Sequence, residues 1–112
     1  MLEIDTVYKK GILFIRLYGA INKNNIKEID SVLESTINKV GIKYLLLNFE
    51  NIYYINCDIS KLIDEWSRKL TLKNGKFFMC GYRENSKNNF IRINDVVLEM
   101  NDEFSAFSKV KI

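Results

Sequence analysis

The feature that most constrains this chain is the stretch from Lys43 to Leu70, where an unbroken apolar run is followed by a short connection and an amphipathic segment. Tyr44, Leu45, Leu46 and Leu47 leave no polar position for a solvent-facing side. A strand of that kind has both faces covered, as strands in parallel sheets do. Ile59, Leu62, Ile63, Trp66 and Leu70 then recur at helical spacing, which makes one apolar stripe. Ser60, Lys61, Asp64, Glu65, Arg68 and Lys69 fall away from it. Asn56, Cys57 and Asp58 sit where the strand hands over to the helix. In open α/β sheets, ligands and partners engage beyond the carboxyl ends of the strands.

The flanking segments fit the same plan. Leu2 to Val7 alternates in part and reads as an edge strand, Lys9-Lys10-Gly11 as a turn, and Ile12 to Tyr18 as a second strand. Together they predict an antiparallel hairpin. Asn22 or Asn24 is placed to cap a helix, because an Asn side chain accepts a bond from a free first-turn amide. Ile26, Ile29, Leu33, Ile37 and Val40 give that helix its stripe, and Gly41 ends it. The expected helices cover about 23–39 and 58–72, and the expected parallel strands are Tyr44–Phe49 and Phe77–Cys80. Arg83 to Asn89 reads as a loop and Phe90, Ile91 and Ile93 as a short helix. Val96 to Met100 reads as a last strand and Phe104 to Val110 as a final helical turn or two. Of the Tyr53–Tyr54 pair, one ring is expected inward and the other exposed. After the hairpin, strands alternate with helices, which implies parallel strands joined by right-handed crossovers. The fold class is α/β: a mixed sheet, hairpin first and parallel strands after, with helices packed on it. All 112 residues are expected to form one domain.

Composition narrows the function. The net charge of +3 is weak and dispersed, which argues against direct nucleic-acid binding. No apolar run is long enough to span a membrane. Two cysteines, Cys57 and Cys80, fit a reducing, cytoplasmic setting better than a disulfide framework. The chain has no histidine, so the commonest general base and metal ligand is missing. Cys57 therefore has no base to activate it as a nucleophile. Asp58, Asp64 and Glu65 read as a solvated helix face rather than a metal set, and Trp66 and Cys80 as core. No catalytic residues, metal site or cofactor are expected.

Several segments together resemble a STAS domain, the fold of bacterial anti-sigma factor antagonists. Leu45-Leu-Leu-Asn-Phe-Glu-Asn-Ile-Tyr-Tyr-Ile-Asn-Cys-Asp-Ile59 is similar to that family's apolar strand, short connection and D-S-S-G-like turn into a helix. Asn74-Gly-Lys-Phe-Phe-Met-Cys-Gly81 is similar to its following strand, and Leu17-Tyr-Gly-Ala-Ile-Asn22 to its L-x-G-x-L-D segment. By that resemblance the family's phosphorylatable serine falls on Cys57, its nearby aspartates on Asn48 and Asn56, its second serine on Asp58 and its glycine on Ile59. The resemblance implies a non-catalytic regulatory module that binds a partner protein, an anti-sigma factor of the kinase type. Asn22, Asn24, Asn56, Cys57, Asp58, Ser60 and Lys61 would form the contact surface. The alternative is a STAS-like subunit of a larger lipid-transport or signalling assembly, with no phosphorylation switch. Ser60 is the nearest hydroxyl, out of register with the family site. Asp58 supplies a fixed negative charge where the helix dipole favours one, or acts only as a cap.

Overall fold

The computed structural model describes residues 1–82 and 94–110. The chain begins with a hairpin, β1 (Leu2–Lys9) and β2 (Ile12–Ile21), paired antiparallel. Lys10 and Gly11 join the strands with φ of 52° and 85°. Two positive φ values in a two-residue loop give a type I′ turn, whose twist matches that of the strands it connects. Next come α1 (Ile26–Leu33), a π-helical segment Glu34–Val40, β3 (Tyr44–Ile55), α2 (Ile59–Leu72) and β4 (Lys76–Cys80). β5 (Val97–Met100) and a 3₁₀ helix, Phe104–Lys109, follow. The sheet order is β1-β2-β3-β4-β5, and the pairs after the hairpin are parallel. Parallel neighbours need crossovers, which α1 with its π-helical continuation, and then α2, supply. The loop and short helix expected between Arg83 and Ile93 lie outside the described residues.

The two faces of the sheet are covered differently. On one face, Leu13, Ile15, Leu17, Leu45, Leu47, Phe77 and Met79 meet Ile29, Leu33, Ile37, Ile59, Ile63, Trp66 and Leu70 from the helices in the main core. On the other, Ile12, Phe14, Leu46, Phe78 and Cys80 pack with Ala106 and Val110 in a smaller cluster. Leu45 and Leu47 thus face one layer and Leu46 the other, all three 0 % exposed. That is why the run carries no polar residue. Trp66 is 2 % exposed, and its Nε1–H donates to Asp30 Oδ1 at 2.7 Å. The bond satisfies the ring's one polar group and ties α2 to α1.

Three expectations need correction. β3 continues to Ile55 rather than ending at Phe49. Tyr53 and Tyr54 are both exposed, at 73 % and 47 %, while Ile52 and Ile55 are buried. The cause is a register shift: Gly19 pairs with Ile52 and Ala20 with Tyr54, leaving Tyr53 as an extra residue. A bulge breaks the period-2 alternation, so adjacent side chains need not take opposite faces. In the first helix, α-geometry starts at Ile26 and gives way to π-geometry at Glu34. A π-turn rotates less per residue than an α-turn, so a stripe set by 3.6-residue spacing loses phase. Ile37 is still buried, but Val40 is 69 % exposed.

Candidate functional site

The carboxyl ends of β2 and β3 lie side by side, Ile21 paired with Ile55. The next residue binds the two ends together, since the Asn56 N–H donates to the Ile21 carbonyl at 2.8 Å. Each strand then turns into a helix through an asparagine. After β2, Asn22 Oδ1 accepts from the Asn24 and Asn25 amides at 2.8 and 3.0 Å. After β3, Asn56 Oδ1 accepts from the Asp58 amide at 2.8 Å. These bonds tie down amides of the two connecting turns, just ahead of α1 and α2.

Neither Asn22 nor Asn24 caps α1 as the spacing suggested: the residue at the cap position is Asn25, which makes no side-chain cap bond, and Asn22 instead shapes the turn ahead of it. Asn24 is exposed and contributes only its backbone N–H there. Asn25 organises this turn and was not among the expected site residues. It is 8 % exposed; its Oδ1 accepts from the Asn22 N–H at 2.9 Å and its Nδ2 donates to the Ala20 carbonyl at 2.9 Å. Three asparagines within a run of four polar residues, Asn22 to Asn25, leave no mark distinguishing the buried one from the others.

The second turn also differs from its expectation in one respect. Asp58 stands at the cap position but makes no side-chain cap bond; its own N–H is held by Asn56, two residues earlier. The Asp58 carboxylate is a half-exposed charge at the start of α2. Cys57 is exposed, and its carbonyl accepts from the Ser60 N–H at 3.1 Å and from Ser60 Oγ at 2.9 Å. The Ser60 hydroxyl is thereby folded back onto the turn. Lys61 is exposed. The structure therefore brings Asn22, Asn24, Asn56, Cys57, Asp58, Ser60 and Lys61 to two adjoining turns at one edge of the sheet. A cleft of about 370 Å³ near the carboxyl ends of β4 and β5, lined by Glu50, Met79–Tyr82 and Glu99–Asp102, includes none of them.

Asn48 lies apart from the turn, 7 % exposed on the face opposite the helices. Its Nδ2 donates to Glu103 Oε2 at 2.9 Å, and Arg16 clamps the same carboxylate through Nε and Nη2, both at 2.9 Å. The Arg16 bonds hold the Glu103 carboxyl below the usual carboxylate range, and Glu103 in turn raises the Arg16 guanidinium. The network anchors the segment that carries the 3₁₀ helix. Burial pushes the Cys80 thiol up to about 12, so it stays protonated and unreactive. Among the described residues, no group of three or more Cys, Asp and Glu is placed to hold a metal ion.

Several solved structures share this fold. The chain is similar to an anti-sigma factor antagonist from Mycobacterium paratuberculosis, with a TM-score of 0.76 and 10 % identity over 98 % of this chain and 94 % of that one. It is similar to the Bacillus cell fate determinant SpoIIAA in its phosphorylated form, with a TM-score of 0.69 and 15 % identity over 99 % and 100 % of the two chains. A variant of RsbS from Moorella thermoacetica gives a TM-score of 0.69 and 12 % identity over 95 % and 92 %. Identities this low establish the fold alone. The family model described as the STAS domain matches residues 3–104. With that match over nearly its whole length, and with this sheet order, the chain belongs to the STAS domain family.

Proposed function

We propose that this STAS domain is a non-catalytic regulatory module of the anti-sigma factor antagonist kind, acting in the cytoplasm. It binds a partner protein through the paired turns: Asn22 and Asn24 from one, Asn56, Cys57, Asp58, Ser60 and Lys61 from the other. The observation that carries this reading is the bond from Asn56 to Ile21, which fixes two polar turns and two helix starts as one surface. The turn bonds of Asn22 and Asn56 hold that surface ready, so binding spends little on ordering it. The partner that suits it is an anti-sigma factor of the kinase type.

At the position of the family's phosphorylatable serine stands Cys57, which a serine kinase does not esterify. Asp58 supplies a permanent charge beside it, with less charge and fewer acceptor oxygens than a phosphate. In this reading the turn is held in one state rather than switched. A pull-down from the host, followed by incubation of the recovered kinase with ATP, tests this. The expected result is a kinase-like partner that leaves residues 56–60 unmodified. Stoichiometric phosphate on Ser60 would contradict the unswitched turn, and recovery of transporter subunits would favour a STAS-like subunit of a larger assembly.

A further inference from the structure

The outer edge of β1 is a second feature with a readable chemistry. The Ala20 N–H donates to the Met1 carbonyl at 3.3 Å, which places Met1 in a hydrogen-bonded pair of the β1–β2 ladder. Hydrogen-bonded residues alternate along an antiparallel strand. Glu3, Asp5, Val7 and Lys9 therefore direct their backbone groups toward β2, and Leu2, Ile4, Thr6 and Tyr8 direct theirs outward. β1 stands at the end of the strand order, and among the described residues no strand pairs with that edge. Natural edges are commonly blunted by short length, proline, a bulge or charged side chains; β1 carries Glu3, Asp5 and Lys9, so it can pair only in a register that keeps like charges apart. This one runs for eight residues, pairs with β2 without a register break, and lies in a chain without proline.

We propose that the edge docks a second copy of this chain, the two β1 strands pairing antiparallel with Thr6 opposite the partner's Thr6. The charges select that register. Centred on Thr6, Glu3 faces the partner's Lys9 and Lys9 faces the partner's Glu3, while Ile4 lies across from the partner's Tyr8. Centring on Asp5 would oppose two aspartates, and centring on Ile4 would set Glu3 against Asp5, each unfavourable. Centring on Val7 does set Asp5 against the partner's Lys9, but it shortens the overlap and leaves Glu3 beyond the paired residues. The apolar pair has a place to go. Tyr8 is 62 % exposed and borders a recess of about 610 Å³ lined also by Leu13, Val40 and Ile42. Two-fold symmetry uses each contact twice, and the result is one continuous sheet through both copies.

Sedimentation equilibrium on the full chain tests the proposal. Wild type should show a concentration-dependent dimer. Glu3→Lys and Lys9→Glu should each weaken it about tenfold, because each sets like charges opposite at two symmetric positions. An equimolar mixture of the two variants should regain wild-type association, since the introduced lysine then faces the introduced glutamate. Thr6→Pro removes an N–H that the fold itself does not use, and should abolish the dimer with unchanged circular dichroism. The charge pair decides the case if that variant alters the spectrum. Wild type that remains monomeric up to about 1 mM would overturn the proposal, as would charge variants that dimerise like wild type.

Discussion

The two faces of the sheet are held by different physics. The helix face is an apolar layer built from periodic stripes, with Trp66 and its bond to Asp30 at its centre. The opposite face has a small apolar cluster under the 3₁₀ helix, and a polar clamp of Arg16, Asn48 and Glu103 at its side. On the first face burial supplies most of the stabilisation; on the second a larger share falls to charge-assisted hydrogen bonds. The lesson is that the second face should answer to pH and to single charge changes, and the first to lost volume.

The largest effect should come from the helix face. Trp66→Ala removes a buried ring and leaves Asp30 without its donor, and should cost about 3–5 kcal/mol in urea melts. On the opposite face, Glu103→Gln keeps the shape but weakens the Arg16 and Asn48 bonds. It should cost about 1 kcal/mol at pH 7, a modest value because Arg16 is partly solvated. The cost should depend on pH. Glu103 has a carboxyl held below its usual range, so its contribution is present above the unfolded carboxylate value of about 4.3 and is lost as pH falls through the folded value. The gap between wild type and Glu103→Gln should therefore close in acid. A gap that persists once the folded carboxyl has itself titrated in acid would mean that shape, and not charge, holds this face. The smallest effect belongs to Lys69, which lies over the Trp66 ring at 4.5 Å and beside Glu65 at 3.3 Å but stays exposed. Lys69→Ala should cost about 0.5 kcal/mol or less. Equal losses for Trp66→Ala and Lys69→Ala would show that burial does not set the ranking.

The same contrast explains what could be read from the residues alone. Tyr44–Leu47, the stripe of α2 and the hairpin were legible because periodicity is local and apolar. Val40 and the Tyr53–Tyr54 pair were misplaced because a π-turn and a bulge each change the period without any marker residue. The clamp left no signal: Arg16 and Glu103 are 87 positions apart, and an isolated charge looks the same whether it is solvated or paired. The two turns were legible in part. Asparagine after a strand announces a turn, here taken for a helix cap, but which asparagine turns inward is decided by tertiary partners such as the Ala20 carbonyl that holds Asn25.

Whether the turn at the start of α2 faces a partner is decided by calorimetric titration of that partner against Ser60→Glu and Lys61→Glu. Both residues lie in the first turn of α2, beyond the Asn56 turn. Neither change removes buried apolar surface, so the melting temperatures should stay near that of wild type. A misplaced negative charge in the interface should weaken binding by at least about 1 kcal/mol, roughly fivefold in Kd. Wild-type affinity in both variants would contradict the claim and place the interface on another part of the molecule.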